Sequence, residues 1–259
     1  MNYLNRHQLD LGADSQDDAR ISTEALQLKV DQLAQQLDAL GSTAGERAAD
    51  LRHQLAMAYI DLSRGQTDHQ TDRSRTSLGQ PAPLQSAPAQ SAWNHARQAF
   101  DVFLGYRNWE QAALVCDTLF RCGVDDSLIA LGHGLWLSIT FPVDVSLTIS
   151  QLQHVIDETP ESSDGAAVAA AVAAYVNEIR GNEHQDPDID LAVGQMLNDV
   201  ARRHAQVDTQ EAFNQWFERL ELNDPGKFLV RMRNIIDVLV QDNWWFDRNE
   251  LQAMIPGGS

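Results

Sequence analysis

Apolar side chains recur every three or four residues along most of the chain, which is the spacing of a helix with one buried face. The first such run is a narrow seam formed by Leu26, Val30, Leu33, Leu37 and Leu40. Gly41 can end this helix in a left-handed cap, and Thr43 with Glu46 matches a capping box for the next one. The spacing then continues at Leu51, Leu55, Ala58 and Leu62. Residues 21–63 therefore predict an antiparallel helical hairpin.

The segment 64–91 interrupts this pattern. It is rich in Gln, Ser, Thr, Pro and Asp, it has no aromatic residue, and Leu78 and Leu84 are its large aliphatic side chains. Burying so little apolar surface cannot offset the entropy lost when such a segment is ordered. We therefore predict a disordered linker or an inserted loop at 64–91, and a disordered tail over the polar residues 1–20.

Residues 92–259 contain repeated signals for the start of a helix, which divide this region into successive helices. The signals are a capping residue or a capping box at Asn108, Asp208 with Glu211, Asp224 before Pro225, and Asp247 with Glu250. The sequence therefore predicts an all-α fold, in which the N-terminal hairpin is followed by one multi-helix domain over 92–259.

The stretch 137–149 supports two interpretations. Its apolar residues alternate strictly with other residues, as in a β-strand. However, Pro142 lies in the middle of the run, and no second alternating run could pair with it. We favour a helix that ends near Thr140, an extended kink, and a new helix from about Val145. A strand is the alternative.

Charge and composition narrow the range of partners. The 259 residues include 43% hydrophobic residues and carry a formal net charge of -18. Such an acidic surface repels phosphate backbones and anionic lipid headgroups, so we expect neither nucleic acid nor a membrane as partner, whereas a basic protein fits. The two cysteines are expected to be reduced core residues. The apolar runs are too short to span a bilayer, and we expect a cytoplasmic location.

Part of the domain resembles the tetratricopeptide repeat family over Ala96–Asp125. Small and aromatic residues fall on the core positions of the two helices of one such repeat: Ala99, Phe100 and Phe103 on the first, and Trp109, Ala112, Cys116 and Leu119 on the second. The resemblance implies antiparallel helix pairs stacked into an array, whose concave face binds a peptide or a partner protein. It also implies an adaptor or co-chaperone rather than a catalyst.

Candidate chemistry centres on two histidines. His133 is flanked by Gly132 and Gly134 in an apolar helix, which indicates close helix packing with a hydrogen-bonded histidine, or alternatively a catalytic histidine. His154 and Glu158 lie one helical turn apart and could share a metal, but an ordinary surface pair is favoured. The sequence contains no recognised catalytic, phosphate-binding or dinucleotide-binding motif. We therefore predict no catalytic, cofactor-binding or metal-binding residues and no cofactor.

Three functional hypotheses follow. The first is a non-catalytic protein–protein interaction module, such as an adaptor or an assembly factor, with Trp244, Trp245, Phe246, Leu26 and Leu33 as candidate partner-binding residues. The second is a helical enzyme or metal protein that uses His133 or His154. The third is a structural oligomer that self-associates through the Leu26–Leu40 seam.

Overall fold

A computed structural model describes residues 16–41, 45–71, 86–161, 163–181 and 187–255. Over these ranges the chain is all-α and contains no strand. The helices are α1 (Gln16–Ala39), α2 (Glu46–Thr71), α3 (Ala87–Gly105), α4 (Trp109–Arg121), α5 (Ser127–Thr140), α6 (Val145–Glu158), α7 (Gly165–Gly181), α8 (Pro187–Ala205), α9 (Gln210–Arg219), α10 (Pro225–Val240) and α11 (Arg248–Gln252). None of the helices in the described ranges is both long enough and apolar enough to cross a membrane.

Most of the predicted helix starts are confirmed by capping hydrogen bonds. Asn108, Asp224 and Asp247 each accept a backbone N–H of the first turn that follows, at 3.3, 3.0 and 2.8 Å respectively. The prediction at Asp208 is wrong by one residue. Thr209 is the cap of α9, because its Oγ1 atom accepts the Ala212 N–H.

The stretch 137–149 is a broken helix rather than a strand. Helix α5 ends at Thr140, Phe141 is extended, and α6 begins at Val145 with Asp144 as its cap. The C-terminal end of α5 has a partner in Arg180 of α7, whose guanidinium donates to the carbonyl oxygens of Ser138 at 2.7 Å and Ile139 at 3.0 Å. Buried carbonyls that would otherwise lack a donor are therefore satisfied by a side chain from a distant helix.

The predicted N-terminal hairpin forms between α1 and α2. Val30 and Leu33 of α1 pack against Leu55 and Ala58 of α2. Gly41 has the expected positive φ, at +64°, whereas Thr43 lies outside the described residues. The hairpin is not a separate domain, because the other face of α2 packs on α3 and contributes Ala49, Ala56 and Ile60 to the main core.

The linker and tail boundaries were predicted wrongly. Helix α2 continues to Thr71 and α3 begins at Ala87, so both ends of the predicted linker 64–91 are helical, while residues 72–85 lie outside the described part. Helix α1 begins at Gln16, inside the predicted tail 1–20, whose first residues are likewise not described. A helix extends past its apolar pattern because each added residue gains a backbone hydrogen bond once the helix exists. At α3, Ser86 is the cap, with Pro88 in the first turn.

Helices α5 and α7 form the centre of the molecule. Consecutive helices from α2 to α8 pack against one another, and α10 returns to pack across both α5 and α7. The alanine-rich part of α7, residues 166–173, is buried. Its small side chains allow α6, α8 and α10 to approach it from different sides, and this arrangement positions the surfaces described next.

Candidate functional site

His133 lies at the tightest point of the helix packing, where two glycines allow close contact. A methyl group at Gly132 would come within 2.6 Å of Val240 Cγ2 in α10. A methyl group at Gly134 would come within 2.8 Å of both Cys116 Cβ in α4 and the Gln151 amide nitrogen in α6. The close helix approach expected from the two glycines is therefore present, and it brings three helices against α5.

Both ring nitrogens of His133 have hydrogen-bond partners. The Nδ1–H group donates to the carbonyl oxygen of Ile129 at 2.7 Å, and Nε2 accepts the backbone N–H of Trp245 at 3.0 Å. Burial lowers the pKa of His133 to about 4, although its hydrogen bond to Ile129 acts in the opposite direction. The ring is therefore neutral near pH 7, and its nitrogens are occupied in holding the segment after α10.

The three aromatic residues Trp244, Trp245 and Phe246 are half-buried and pack onto the core. Trp245 stacks on the His133 ring with centroids 4.1 Å apart, and Phe246 lies 5.2 Å from the Trp136 ring. Arg97 of α3 covers the outer side of Trp245 at 4.3 Å, and Arg248 covers Trp244 at 4.1 Å. These candidate partner-binding side chains are thus engaged in contacts within the chain.

His154 does not pair with Glu158, which is exposed. Its Nε2–H group donates instead to Asp117 of α4 at 3.0 Å, and its ring lies 4.6 Å from Phe120. Arg121 also approaches Asp117, at 3.9 Å. Among the residues that the structure describes, no group of three or more His, Cys, Asp or Glu side chains is placed to hold a metal ion.

Two buried polar residues, His53 and Gln151, were missed by the sequence analysis. His53 of α2 donates from Nε2 to the Thr118 hydroxyl at 2.8 Å, because that hydroxyl itself donates to the Leu114 carbonyl. Gln151 donates to the Ala113 carbonyl at 2.9 Å and accepts from Ser138 at 2.7 Å. Burial lowers the pKa of His53 to about 4, although the charge of Asp117 raises it. The sequence signal that could have identified His53 and Gln151 is a polar residue at a helix position that faces the core.

The leucine seam of α1 is covered by α2. Leu33 is 7% exposed against Leu55, and Leu26 is half-buried. Among the large apolar side chains of α1 whose burial the structure describes, Leu28 is exposed, at 58%. Of the two candidate partner-binding residues of this seam, Leu33 therefore serves the hairpin itself.

A groove with a volume of about 430 Å³ runs between α6 and α8. The two helices both pack on α7 but contact each other only slightly, which leaves the space between them open. Its lining consists of the apolar residues Ile156, Ala192, Met196 and Val200 and the polar residues Gln153, Asp157, Gln195, Asp199 and Arg203. We call this the α6–α8 groove. It is large enough for one or two amino-acid side chains of a partner.

Comparisons with known proteins give no family assignment. Neither the scan of protein-family models nor the searches of curated proteins and of solved structures finds a match to this chain. The tetratricopeptide resemblance of Ala96–Asp125 stays a prediction.

Proposed function

We propose that this chain is a non-catalytic protein–protein interaction module, an adaptor or an assembly factor, and that a partner docks in the α6–α8 groove. The groove is the observation that carries the proposal. It combines buried apolar side chains, such as Met196 and Val200, with polar groups along its edge. Binding sites in proteins typically have this composition, because the apolar part supplies affinity and the polar part fixes orientation.

A second consideration is that the opposite side of the helix array is already covered. We call the stretch from Pro225 to Phe246 the C-terminal segment. Its helix α10 packs on α5 and α7, and its Trp245 packs on Phe100 of α3 with ring centroids 5.4 Å apart. The face that α3, α5 and α7 share, which we call the inner face, therefore offers no free surface there. A concave inner face, implied by the tetratricopeptide resemblance, is not the docking surface that we propose.

The hypothesis of an enzyme or metal protein has less support from the geometry. Each ring nitrogen of His133 is engaged in a hydrogen bond, and His154 is bonded to Asp117 rather than to Glu158. Self-association through the Leu26–Leu40 seam has less support too, because α2 covers Leu33. The interaction module is the function that the described surfaces favour.

Site-specific photocrosslinking tests this proposal. A benzophenone amino acid is placed at the exposed Gln195 in the groove, and in a second variant at the exposed Asn234 of α10, as a matched control. Irradiation in native extract is followed by mass spectrometry of the adducts. We expect a discrete heteromeric adduct from position 195 that is absent from position 234, and we expect the purified partner to bind the wild-type chain directly.

A second test of the proposed function is a substitution that fills the groove. The substitution Ala192→Trp places an indole in the space between α6 and α8 and should abolish binding of the purified partner. Identical adducts from positions 195 and 234, or a partner that binds the Ala192→Trp chain as tightly as wild type, would contradict docking in the groove.

A further inference from the structure

The charges along the α6–α8 groove indicate the chemistry of its occupant. Asp157 and Asp199 both line the groove and are exposed. Asp157 accepts a hydrogen bond from Gln153 at 2.8 Å, but within the described part of the chain neither carboxylate takes part in an ion pair. Two carboxylates are thus available to a ligand in a chain whose formal net charge is already -18.

Arg203 is the positive group in the groove lining, and its guanidinium is engaged in hydrogen bonds at one end of the groove. Its Nη2 atom donates to the Ile156 carbonyl at 2.8 Å, and its Nε atom donates to the His204 ring at 3.1 Å. The Ile156 carbonyl belongs to the last turn of α6, where the helix dipole places partial negative charge. Arg203 therefore compensates the end of α6, and the two aspartates keep their charge for an incoming group.

The apolar floor sets a second requirement. Ile156, Met196 and Val200 are each at most 7% exposed, so the floor offers a ligand only a small apolar area beside the two carboxylates, and the aliphatic stem of a charged side chain is enough to cover it. Lysine and arginine side chains combine a long aliphatic stem with a cationic head, and they bury the stem while the head contacts acidic groups. Opposite charge also speeds the encounter of the two partners.

We infer that the α6–α8 groove binds a basic peptide segment of a partner protein through one or two of its lysine or arginine side chains. Their cationic heads contact Asp157 and Asp199, and their aliphatic stems cover Met196 and Val200. This inference rests on the proposed function and specifies the class of partner. A second copy of this chain is a poorer occupant, because two molecules of charge -18 repel each other.

The test uses an unbiased probe. A random dodecapeptide library displayed on phage is selected on the full-length wild-type chain, and binders that also recognise the Ala192→Trp chain are discarded. Circular dichroism and thermal melting verify that Ala192→Trp is folded, and Gln195→Trp replaces it in the selection if it is not. The recovered peptides are synthesised, and their affinities are measured by fluorescence anisotropy.

We expect the groove-dependent peptides to be rich in lysine or arginine and to carry a net positive charge. Asp157→Asn and Asp199→Asn should each weaken binding by roughly two- to fivefold, the range of single exposed ion pairs, and raising the salt concentration should weaken it further. The matched control is Asp242→Asn, which neutralises an exposed aspartate after α10 and should leave affinity unchanged.

Several outcomes would overturn the inference. Groove-dependent peptides that are neutral or acidic would overturn the basic partner, while leaving docking in the groove intact. Equal weakening by Asp242→Asn would show a nonspecific charge effect. Self-association that is seen by light scattering and lost in Ala192→Trp would identify a second copy as the occupant. Failure to recover any groove-dependent peptide also counts against the inference. Docking in the groove is tested independently of this selection by the crosslinks from position 195.

Discussion

Gly132 has no side chain, and this allows α10 to pack closely against α5. Residue 132 lies within a helix, where glycine costs about 1 kcal/mol of stability relative to alanine. A methyl group would meet Val240 Cγ2 at 2.6 Å and Leu239 Cβ at 3.2 Å, and both neighbours belong to the packed face of α10. The glycine is therefore required by contact between helices rather than by a turn.

Gly132→Ala should destabilise the chain by about 1–2 kcal/mol, because overpacking a core costs more than the gain in helix propensity. The matched control is Gly194→Ala in α8, where a methyl group would meet nothing within 4 Å. That substitution should stabilise by about 0.5–1 kcal/mol through helix propensity alone. Urea unfolding monitored by circular dichroism measures both changes. The same sign for both variants would disprove the close approach.

Two buried histidines make the stability depend on pH. Burial lowers the pKa of His133 and that of His53 to about 4 each, whereas both rings titrate near pH 6.5 in the unfolded chain. Between these values the unfolded chain binds more protons, so the free energy of unfolding rises with pH. The contribution of the two neutral rings is complete above about pH 6.5 and is lost as the pH falls towards 4.

His53→Asn keeps a hydrogen-bond donor near Thr118 but removes the titrating group. We expect the free energy of unfolding of this variant to fall less steeply than that of wild type between pH 6.5 and 4.5, by about one proton or roughly 1.4 kcal/mol per pH unit. Urea titrations at a series of pH values measure the slopes. Parallel curves for the two proteins would show that His53 is not buried in its neutral form.

At the scale of single elements, α1 depends on one neighbour. It packs on α2 through Val30 and Leu33, and the rest of the molecule adds little contact. Helix α5, in contrast, is buried continuously from Ala130 to Ser138 and packs against α4, α6 and α10. Local stability should therefore be low in α1 and highest in α5.

Leu33→Asp should detach α1 while the remaining helices stay folded, because it places a charge at the 7% exposed centre of the hairpin contact. Leu28→Asp is the matched control, since Leu28 lies on the same helix and is 58% exposed. Hydrogen exchange measured by mass spectrometry should accelerate in α1 for Leu33→Asp and stay at the wild-type rate for Leu28→Asp. Fast exchange throughout the Leu33→Asp chain would contradict a locally held α1.

The carbonyl groups at the C-terminal end of α5 are hydrogen-bonded by Arg180. Its guanidinium also reaches the Val143 carbonyl at 3.4 Å, so three carbonyl oxygens of the α5–α6 junction depend on one side chain. Arg180→Ala should destabilise by about 1–3 kcal/mol, the cost of leaving buried acceptors unsatisfied. Arg233→Ala, at an exposed position of α10, should change stability by less than about 0.5 kcal/mol. Equal effects of the two substitutions would refute the capping role.

Local signals predicted the elements well for a physical reason. A cap such as Asn108 or Asp247 bonds backbone groups within three residues, so both partners stand together in the sequence. Pro142 likewise allowed the end of α5 near Thr140 to be predicted. The packing of α10 and the segment after it on α5 could not be predicted, because the contact between His133 and Trp245 joins residues far apart in the chain.

Contacts between residues far apart in the chain also explain why the candidate site was not predicted correctly. His154 was paired with Glu158 because one helical turn separates them, yet its partner is Asp117 on another helix. The α6–α8 groove was missed altogether, since it arises from two helices that share α7 as a neighbour and leave a space between them. Spacing along a chain identifies which side chains share a face, but not which faces remain uncovered once the helices pack.

At the scale of the whole molecule, one side of the helix array is closed by its own chain and another carries an acidic groove. The C-terminal segment covers α5 and α7 through side chains such as Met232, which is 1% exposed. The α6–α8 groove presents Asp157 and Asp199 beside a floor that includes Met196. The central claim is that a partner occupies the groove and leaves the C-terminal segment in place.

Methyl NMR of the chain labelled with [¹³C-methyl]methionine tests this claim most directly, because Met196 reports on the groove and Met232 on the inner face. The two signals are assigned by Met196→Leu and Met232→Leu, and the crosslinked partner segment is then titrated in. We predict a saturable shift of the Met196 signal with the Met232 signal unchanged. A shift of the Met232 signal with Met196 unchanged would contradict it, because the partner would then displace the C-terminal segment.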